Sequence, residues 1–161
     1  MTNAFPLPFT DGILDVVDGH DIYSFMDGFS GYNQVRMHPD DQEKIALKTA
    51  VVMLFGLKTA PATFQQVTQE IFHEYIPTFM QVFLDDFVVY SRKTDHFDHV
   101  RLCLERCQQG RLSLNPAKCA FRVTSGALLG HIVSEEGIVV DLDKVKAILE
   151  APTPTKAKDL S

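Results

Sequence analysis

Residues 80–91 read MQVFLDDFVVYS, and in this stretch two runs of aromatic and β-branched residues flank the carboxylates Asp85 and Asp86. Runs of this composition favour β-strands, so the polar pair between them predicts a tight hairpin. A turn between apolar strands more usually carries Asn-Gly or Asp-Gly, which makes two adjacent carboxylates an unusual choice. The hairpin is therefore both the centre of the predicted fold and a candidate site, although an ordinary acidic turn would have the same residues.

The residues before this hairpin predict a short helix and a strand. The helix covers Asp11–Val17, with Thr10 as its N-cap. The strand covers Ile22–Met26 and delivers Asp27 to a turn at Gly28.

Two longer helices are predicted, one on each side of the hairpin in sequence. The first begins at Pro61 and runs to about Ile76, and the second is capped by Thr94 or Asp95 and ends near Gln109. Three- and four-residue spacing predicts the buried face of each helix. For the first helix the inward residues are Phe64, Val67, Ile71 and Tyr75, and for the second they are Phe97, Val100, Leu104 and Cys107.

The last third of the chain predicts more strands and a final helix. Residues 112–114 suggest a strand, and Leu128–Val133 with Ile138–Val140 suggest a second hairpin. Asp141 is placed to cap a helix that runs through Leu149.

The order strand, helix, strand, strand, helix, strand is the split βαβ pattern. The predicted fold class is therefore α+β, an antiparallel sheet with helices on one face. In this layout the strand that ends at Asp27 lies beside the hairpin of Asp85 and Asp86.

Like charges so close are unfavourable unless cations neutralise them. Two Mg²⁺ ions roughly 3.5–4 Å apart, as used in nucleotidyl transfer, would do so.

The bulk properties limit this interpretation. The chain of 161 residues is long enough for one domain, and its three cysteines suit a reducing compartment better than a disulfide framework. No apolar run approaches the length of a membrane span. The net charge of −6 argues against nucleic-acid binding, which depends on Lys and Arg contacts with phosphate.

A second interpretation is a metal-binding structural module. His96, His99, Cys103 and Cys107 have helical spacing and could form one stripe. Four ligands on a single straight helix cannot surround a tetrahedral ion, which makes core packing of Cys107 and a solvated helix start at His96 and His99 the better explanation.

Four ordered motifs resemble the reverse transcriptases of gypsy-type LTR retrotransposon (metavirus) polyproteins over nearly the whole chain. They are FLDDFVVYS at 83–91, DGFSGYNQV at 27–35, VMLFGLKTAPATFQ at 52–65, and LLGHIV with GIVVD at 128–133 and 137–141. The implied fold is the palm of a right-hand polymerase, with fingers and thumb largely missing. The implied activity is RNA-directed DNA polymerase, in which a primer 3′-hydroxyl attacks the α-phosphate of a dNTP.

The resemblance implies a role for each matching residue. Asp27 and Asp85 would ligate both Mg²⁺ ions, with Mn²⁺ as a substitute, and Asp86 would support them. The backbone of Gly28, beside the metals, and of Phe29 would contact the triphosphate.

Further roles concern the nucleotide and the primer. Tyr32 would lie under the sugar and exclude a 2′-hydroxyl, and Phe55 and Gly56 would line the nucleotide pocket. Without the resemblance, Tyr32 and Phe55 would more simply be core residues. Three residues would position the primer terminus: Leu129, Gly130 and His131.

The resemblance also implies domain boundaries and partners. Residues 1–150 would be the palm, with partial fingers around 39–58 and a primer-grip hairpin at 127–140, and residues 151–161 would be a linker to a truncated thumb. A strand pair expected between Thr49 and Val52 is missing. The partners would be an RNA or DNA template with primer, dNTPs and the fingers, thumb and RNase H segments of a parent polyprotein, with no membrane.

The resemblance further implies a cytoplasmic, virus-like-particle location. We expect this chain alone to be inactive as a polymerase. The alternative is a non-catalytic remnant of a decayed element.

Overall fold

A computed structural model describes residues 5–29, 34–35 and 60–150. Its helices are α1 (Thr10–Val17), α2 (Ala60–Phe72), α3 (His96–Gln109) and α4 (Leu142–Glu150). Its strands are β1 (Ile22–Asp27), β2 (Met80–Phe83), β3 (Asp86–Ser91), β4 (Ala120–Val123), β5 (Ser125–Leu128), β6 (His131–Ser134) and β7 (Gly137–Val140). None of the described helices has the length and apolar character needed to cross a bilayer.

Several expectations lie outside the described residues. They concern Tyr32, Phe55, Gly56, the segment 39–58, the gap between Thr49 and Val52, and the segment 151–161.

Four strands form an antiparallel sheet in the order β2-β3-β1-β4. The strands β2 and β3 form the predicted hairpin, and β1 pairs with β3 along its whole length. The predicted α+β split βαβ arrangement is therefore confirmed. A second sheet, the meander β5-β6-β7, follows it in the chain.

The central sheet is covered on both faces. The helices α2 and α3 cover one face, where the buried core includes Met26, Phe64, Phe72, Met80, Val82, Phe87, Val89 and Cys103. The helix α1 and the meander cover the other face, with Ile13, Leu14, Val17, Tyr23, Val88, Tyr90, Leu128 and Val133. The two long helices share one face as expected, and the meander supplies the layer opposite.

The predicted buried face of α2 is rotated in the structure. The helix ends at Phe72, not near Ile76, and it buries Gln65 and Thr68, while Val67, Ile71 and Tyr75 are only partly buried. The polar residues can be buried because their side chains are hydrogen bonded, Thr68 to carbonyls of its own helix.

The predicted buried face of α3 is wrong in the same way. Cys107 is buried as predicted, but Phe97 is 78% exposed and Leu104 is 40% exposed, and the other buried residues of the helix are His96 and Cys103. The interior therefore includes a histidine that the pattern places at a solvated helix start.

Four local predictions also need correction. Thr10 lies inside α1 and is not its cap, because the N-cap is Phe9. Asp95 is the N-cap of α3 but makes no side-chain capping bond. Residues 112–114 form only an isolated bridge, in which Leu114 pairs with Gly28. The predicted strand Leu128–Val133 is two strands, since Leu129 and Gly130 have left-handed backbone angles (φ of 49° and 82°) that end β5 and start β6.

The buried His96 joins α3 to the central sheet. Its Nε2 lies 2.8 Å from Ser24 Oγ on β1, and its Nδ1 lies 2.7 Å from Ser91 Oγ on β3. Burial, with smaller contributions from the charges of His99 and Arg122, lowers the pKa of His96.

We expect the free energy of unfolding to fall as the pH drops below about 6.5, because the unfolded chain then binds a proton that the folded His96 resists. A His96→Asn variant should be less stable at pH 8 by about 1–3 kcal/mol and should lose part of this pH dependence. Urea denaturation between pH 8 and pH 5 measures both effects. His73→Asn, at an exposed histidine, is the control, and an unchanged pH dependence in His96→Asn would contradict the prediction.

The meander approaches the central sheet closely at Gly126. A Cβ atom there would lie 2.2 Å from the Phe25 ring, which stacks on Tyr23 and so has little room to move. We expect Gly126→Ala to lower the free energy of unfolding by about 1–3 kcal/mol through this overlap. Gly12→Ala, in open space within α1, should instead raise the free energy of unfolding by about 0.5–1 kcal/mol. Thermal denaturation of both variants measures the two effects. Equal stability of the two variants would show that the contact is not tight.

Candidate active site

The β1–β3 register places two of the three candidate carboxylates side by side. Asp27, the last residue of β1, pairs with Asp86, the first residue of β3. Because side chains alternate along a strand, Asp27 lies on the same sheet face as Phe25, and Asp86 lies on the same face as Val88. Both carboxylates therefore lie on the meander face of the sheet, as directly opposed cross-strand neighbours.

The third carboxylate, Asp85, is in the β2–β3 turn. The Gly28 N–H donates a 2.8 Å hydrogen bond to the Asp85 carbonyl oxygen, which ties the turn to the end of β1. The preceding Leu84 has a left-handed backbone with φ of 53°, which is unusual for a residue with a branched side chain. The predicted meeting of three distant carboxylates at one edge thus has a structural basis in these contacts.

The charges at the site repel one another. Partial desolvation first, and then the negative charges of Asp85 and Asp27, raise the pKa of Asp86, although Lys118 and Lys144 act in the opposite direction. Part of the rise in the pKa of Asp86 therefore comes from electrostatic repulsion by Asp85 and Asp27.

Lys118 supplies a cation that the sequence did not reveal. Its Nζ lies 3.2 Å from Asp27 Oδ2. The turn that positions it starts at Asn115, whose N–H donates to the Asp27 carbonyl oxygen at 2.8 Å and whose Oδ1 accepts from the Ala117 N–H. The Asn-Pro pair predicts this turn, but nothing in the sequence connects Lys118 with Asp27, 91 positions away.

A cleft of about 230 Å³ opens beside the carboxylates. It is lined by Asp27, Asp86, Lys118, Phe25, Met26, Phe87, Ala127 and Leu128. The end of β5 therefore forms one wall, and the turn that follows it holds the residues expected to position a primer. Of these, Leu129 and Gly130 form the β5–β6 turn, where the Gly130 carbonyl oxygen accepts from the Asp141 N–H, and His131 begins β6.

The backbone expected to contact a triphosphate is already hydrogen bonded. The Gly28 N–H donates to Asp85, and the Phe29 N–H donates to the Ser113 carbonyl oxygen at 2.9 Å. Contact through these two N–H groups would require those bonds to break. The Phe29 side chain is 54% exposed.

The carboxylates fit a divalent cation by the chemistry of their oxygen donors. Hard oxygen ligands suit Mg²⁺, which keeps several waters and needs only one or two carboxylates from the protein. Within the described ranges, however, no group of three or more His, Cys, Asp or Glu residues is arranged to hold a metal ion. One of the three carboxylates, Asp27, is paired with Lys118 instead, at 3.2 Å.

The alternative metal module is not formed by the described residues. His96 is bonded to two serines, the His99 ring stacks on Phe79 at 4.0 Å, and Cys103 contacts the Met80 sulfur. Burial raises the pKa of both Cys103 and Cys107 to about 12, which keeps them as neutral thiols.

Comparison with known proteins gives one consistent result. A family model described as "Reverse transcriptase (RNA-dependent DNA polymerase)" matches residues 4–133. The chain is 34% identical to the "Retrovirus-related Pol polyprotein from transposon opus" of Drosophila melanogaster, covering 98% of this chain and 16% of that protein. It is 28% identical to the "Transposon Tf2-3 polyprotein" of Schizosaccharomyces pombe, covering 98% and 12%.

A solved structure has a similar fold. The foamy viral protease-reverse transcriptase in complex with an RNA/DNA hybrid aligns with a TM-score of 0.82 at 16% identity, covering 98% of this chain and 22% of that one. The chain thus spans a small part of the relatives and structures that it matches.

We expect Asp86→Asn to stabilise the metal-free protein at neutral pH by about 0.5 kcal/mol, the scale of a surface charge effect, because it removes one of three like charges. Since the pKa of Asp86 is raised in the folded state, the folded protein binds the extra proton, and the contribution of Asp86 to wild-type stability should decrease as the pH rises through that pKa. Asp86→Asn should reduce this decrease. Urea denaturation in EDTA between pH 4 and pH 8 measures it, with the exposed Asp15→Asn as control. A less stable Asp86→Asn variant at pH 7 would contradict the prediction.

Proposed function

The chain belongs to the reverse transcriptase family, and on this basis we propose that it is the palm portion of a retrotransposon RNA-directed DNA polymerase whose carboxylates bind catalytic metal ions. The resemblance to polyproteins of gypsy-type elements agrees with the transposon relatives. Since the chain spans 16% of its relative from transposon opus, the activity proposed is that of a larger protein.

The observation that carries the proposal is the pairing of Asp27 with Asp86 on one sheet face, with Asp85 in the adjoining turn. Asp27, Asp85 and Asp86 would hold two Mg²⁺ ions, or Mn²⁺, which stabilise the attacking and leaving oxygens of an in-line displacement when bound. Lys118 would have to leave Asp27 Oδ2 as that carboxylate takes up a metal.

The cleft beside the carboxylates would receive the primer terminus. Its wall at Ala127 and Leu128 continues into the Leu129–Gly130 turn, so that the meander would hold the 3′-hydroxyl near Asp86. The template and primer proposed here correspond to the RNA/DNA hybrid present in the foamy viral structure. We also propose a cytoplasmic, particle-associated location.

Metal binding by this chain tests the first part of the proposal. Titration with Mn²⁺, followed by electron paramagnetic resonance, should detect binding that Asp85→Asn and Asp27→Asn weaken at least tenfold, as expected for loss of a ligand to a site of few carboxylates. Asp15→Asn should bind like the wild type. Equal binding by all four proteins would contradict the assignment and would favour the non-catalytic remnant.

Nucleotide transfer tests the second part. A chain extended with the fingers and thumb segments of a transposon relative should extend a DNA primer on an RNA template, and Asp85→Asn should abolish the extension. The DNA that flanks this segment in its gene gives a further test. Coding sequence for fingers and RNase H in the same reading frame would agree with the proposal, whereas stop codons in the flanking DNA would favour the non-catalytic remnant.

A further inference from the structure

Gln65 connects α2 to the carboxylate hairpin. The residue is fully buried, with 0% of its surface exposed. Its Nε2 donates a 3.0 Å hydrogen bond to the Val82 carbonyl oxygen, and its Oε1 accepts a 2.6 Å bond from the Leu84 N–H. One side chain therefore satisfies two backbone groups at the end of β2.

These two bonds resemble those that a neighbouring strand would make. Among the described residues, β2 is an edge strand that pairs only with β3 in the central sheet. A carbonyl at position 82 and an N–H at position 84 are the two groups that one residue of a parallel neighbouring strand would bond. The Gln65 carboxamide offers the same donor and acceptor, so it acts as a one-residue substitute for that neighbour.

The bonds also act on the strained part of the turn. Leu84 has φ of 53°, a region that residues with side chains rarely adopt. The bond to its N–H fixes the orientation of the Phe83–Leu84 peptide group, one residue before Asp85. The Asp85 carbonyl oxygen accepts from Gly28, so the turn is held by α2 on one side and by β1 on the other.

We propose that Gln65 is a positioning residue that fixes the Leu84–Asp85 turn and thereby sets the spacing of Asp85 and Asp86 for metal binding. The metal part of this inference rests on the proposed function. The pair of hydrogen bonds from Gln65 to Val82 and Leu84, called the brace, does not depend on the proposed function, because it concerns only groups of this chain.

Gln65→Met tests the inference, since methionine has a similar volume and forms neither bond. We expect faster amide hydrogen exchange at Leu84, measured by NMR on the ¹⁵N-labelled chain, together with Mn²⁺ binding about tenfold weaker, the effect typical of losing a group that orients a metal ligand. If Gln65→Met does not fold, Gln65→Asn, whose amide is too short to reach both groups, should give the same two changes.

Thr68→Val is the matched control. Thr68 is also buried in α2, but within the described part of the chain its hydroxyl bonds only the carbonyl oxygens of Phe64 and Gln65 in the same helix. The variant should lower the melting temperature and leave Leu84 exchange and Mn²⁺ affinity unchanged. The inference is overturned if Gln65→Met behaves like Thr68→Val, or if Leu84 exchange rises without any loss of Mn²⁺ affinity.

The Asp85→Asn variant separates the two proposals. If Asp85→Asn binds Mn²⁺ like the wild type, the proposed metal site fails, while Leu84 exchange still decides whether the brace exists. If Asp85→Asn loses binding and Gln65→Met does not, only the positioning role of Gln65 fails.

Discussion

The antiparallel register between β1 and β3 is the constraint on which the rest of the molecule depends. It places Asp27 directly opposite Asp86, and a slip by one residue would move one of the two carboxylates to the helix face. Two contacts on different parts of the sheet hold the register. The Gly28–Asp85 bond fixes the end of the strand pair that carries the carboxylates, and His96 joins Ser24 to Ser91 nearer the other end.

The same register brings like charges close together, and the rest of the fold must compensate for their repulsion. Three carboxylates share one edge, and only Lys118 lies within ion-pair distance of one of them among the described residues. The apolar layers on both faces of the sheet supply the stability that permits such an arrangement. A site that is unfavourable for folding and favourable for a cation is what phosphoryl chemistry requires.

The elements that are marked by the spacing of apolar residues and by turn-forming residues could be predicted from the sequence. The hairpin around Asp85, the strand leading to Asp27 and the four helices were predicted in this way. The buried faces of α2 and α3 could not, because Gln65 and His96 are polar residues whose burial depends on partners far away in the sequence. Lys118 was missed for the same reason, since a pattern of spacings carries no information on which turn lies beside which strand end.

The irregular pairing of β4 has a consequence for how the protein behaves in solution. Between the pairs Tyr23–Val123 and Phe25–Ala120, β4 places two residues opposite Ser24, and Arg122 there has a left-handed backbone. Such a bulge twists the outer strand and interrupts its row of backbone groups. Because a regular exposed edge invites strands of other molecules, the bulge and the charged Arg122 make this side of the sheet a poor template for aggregation.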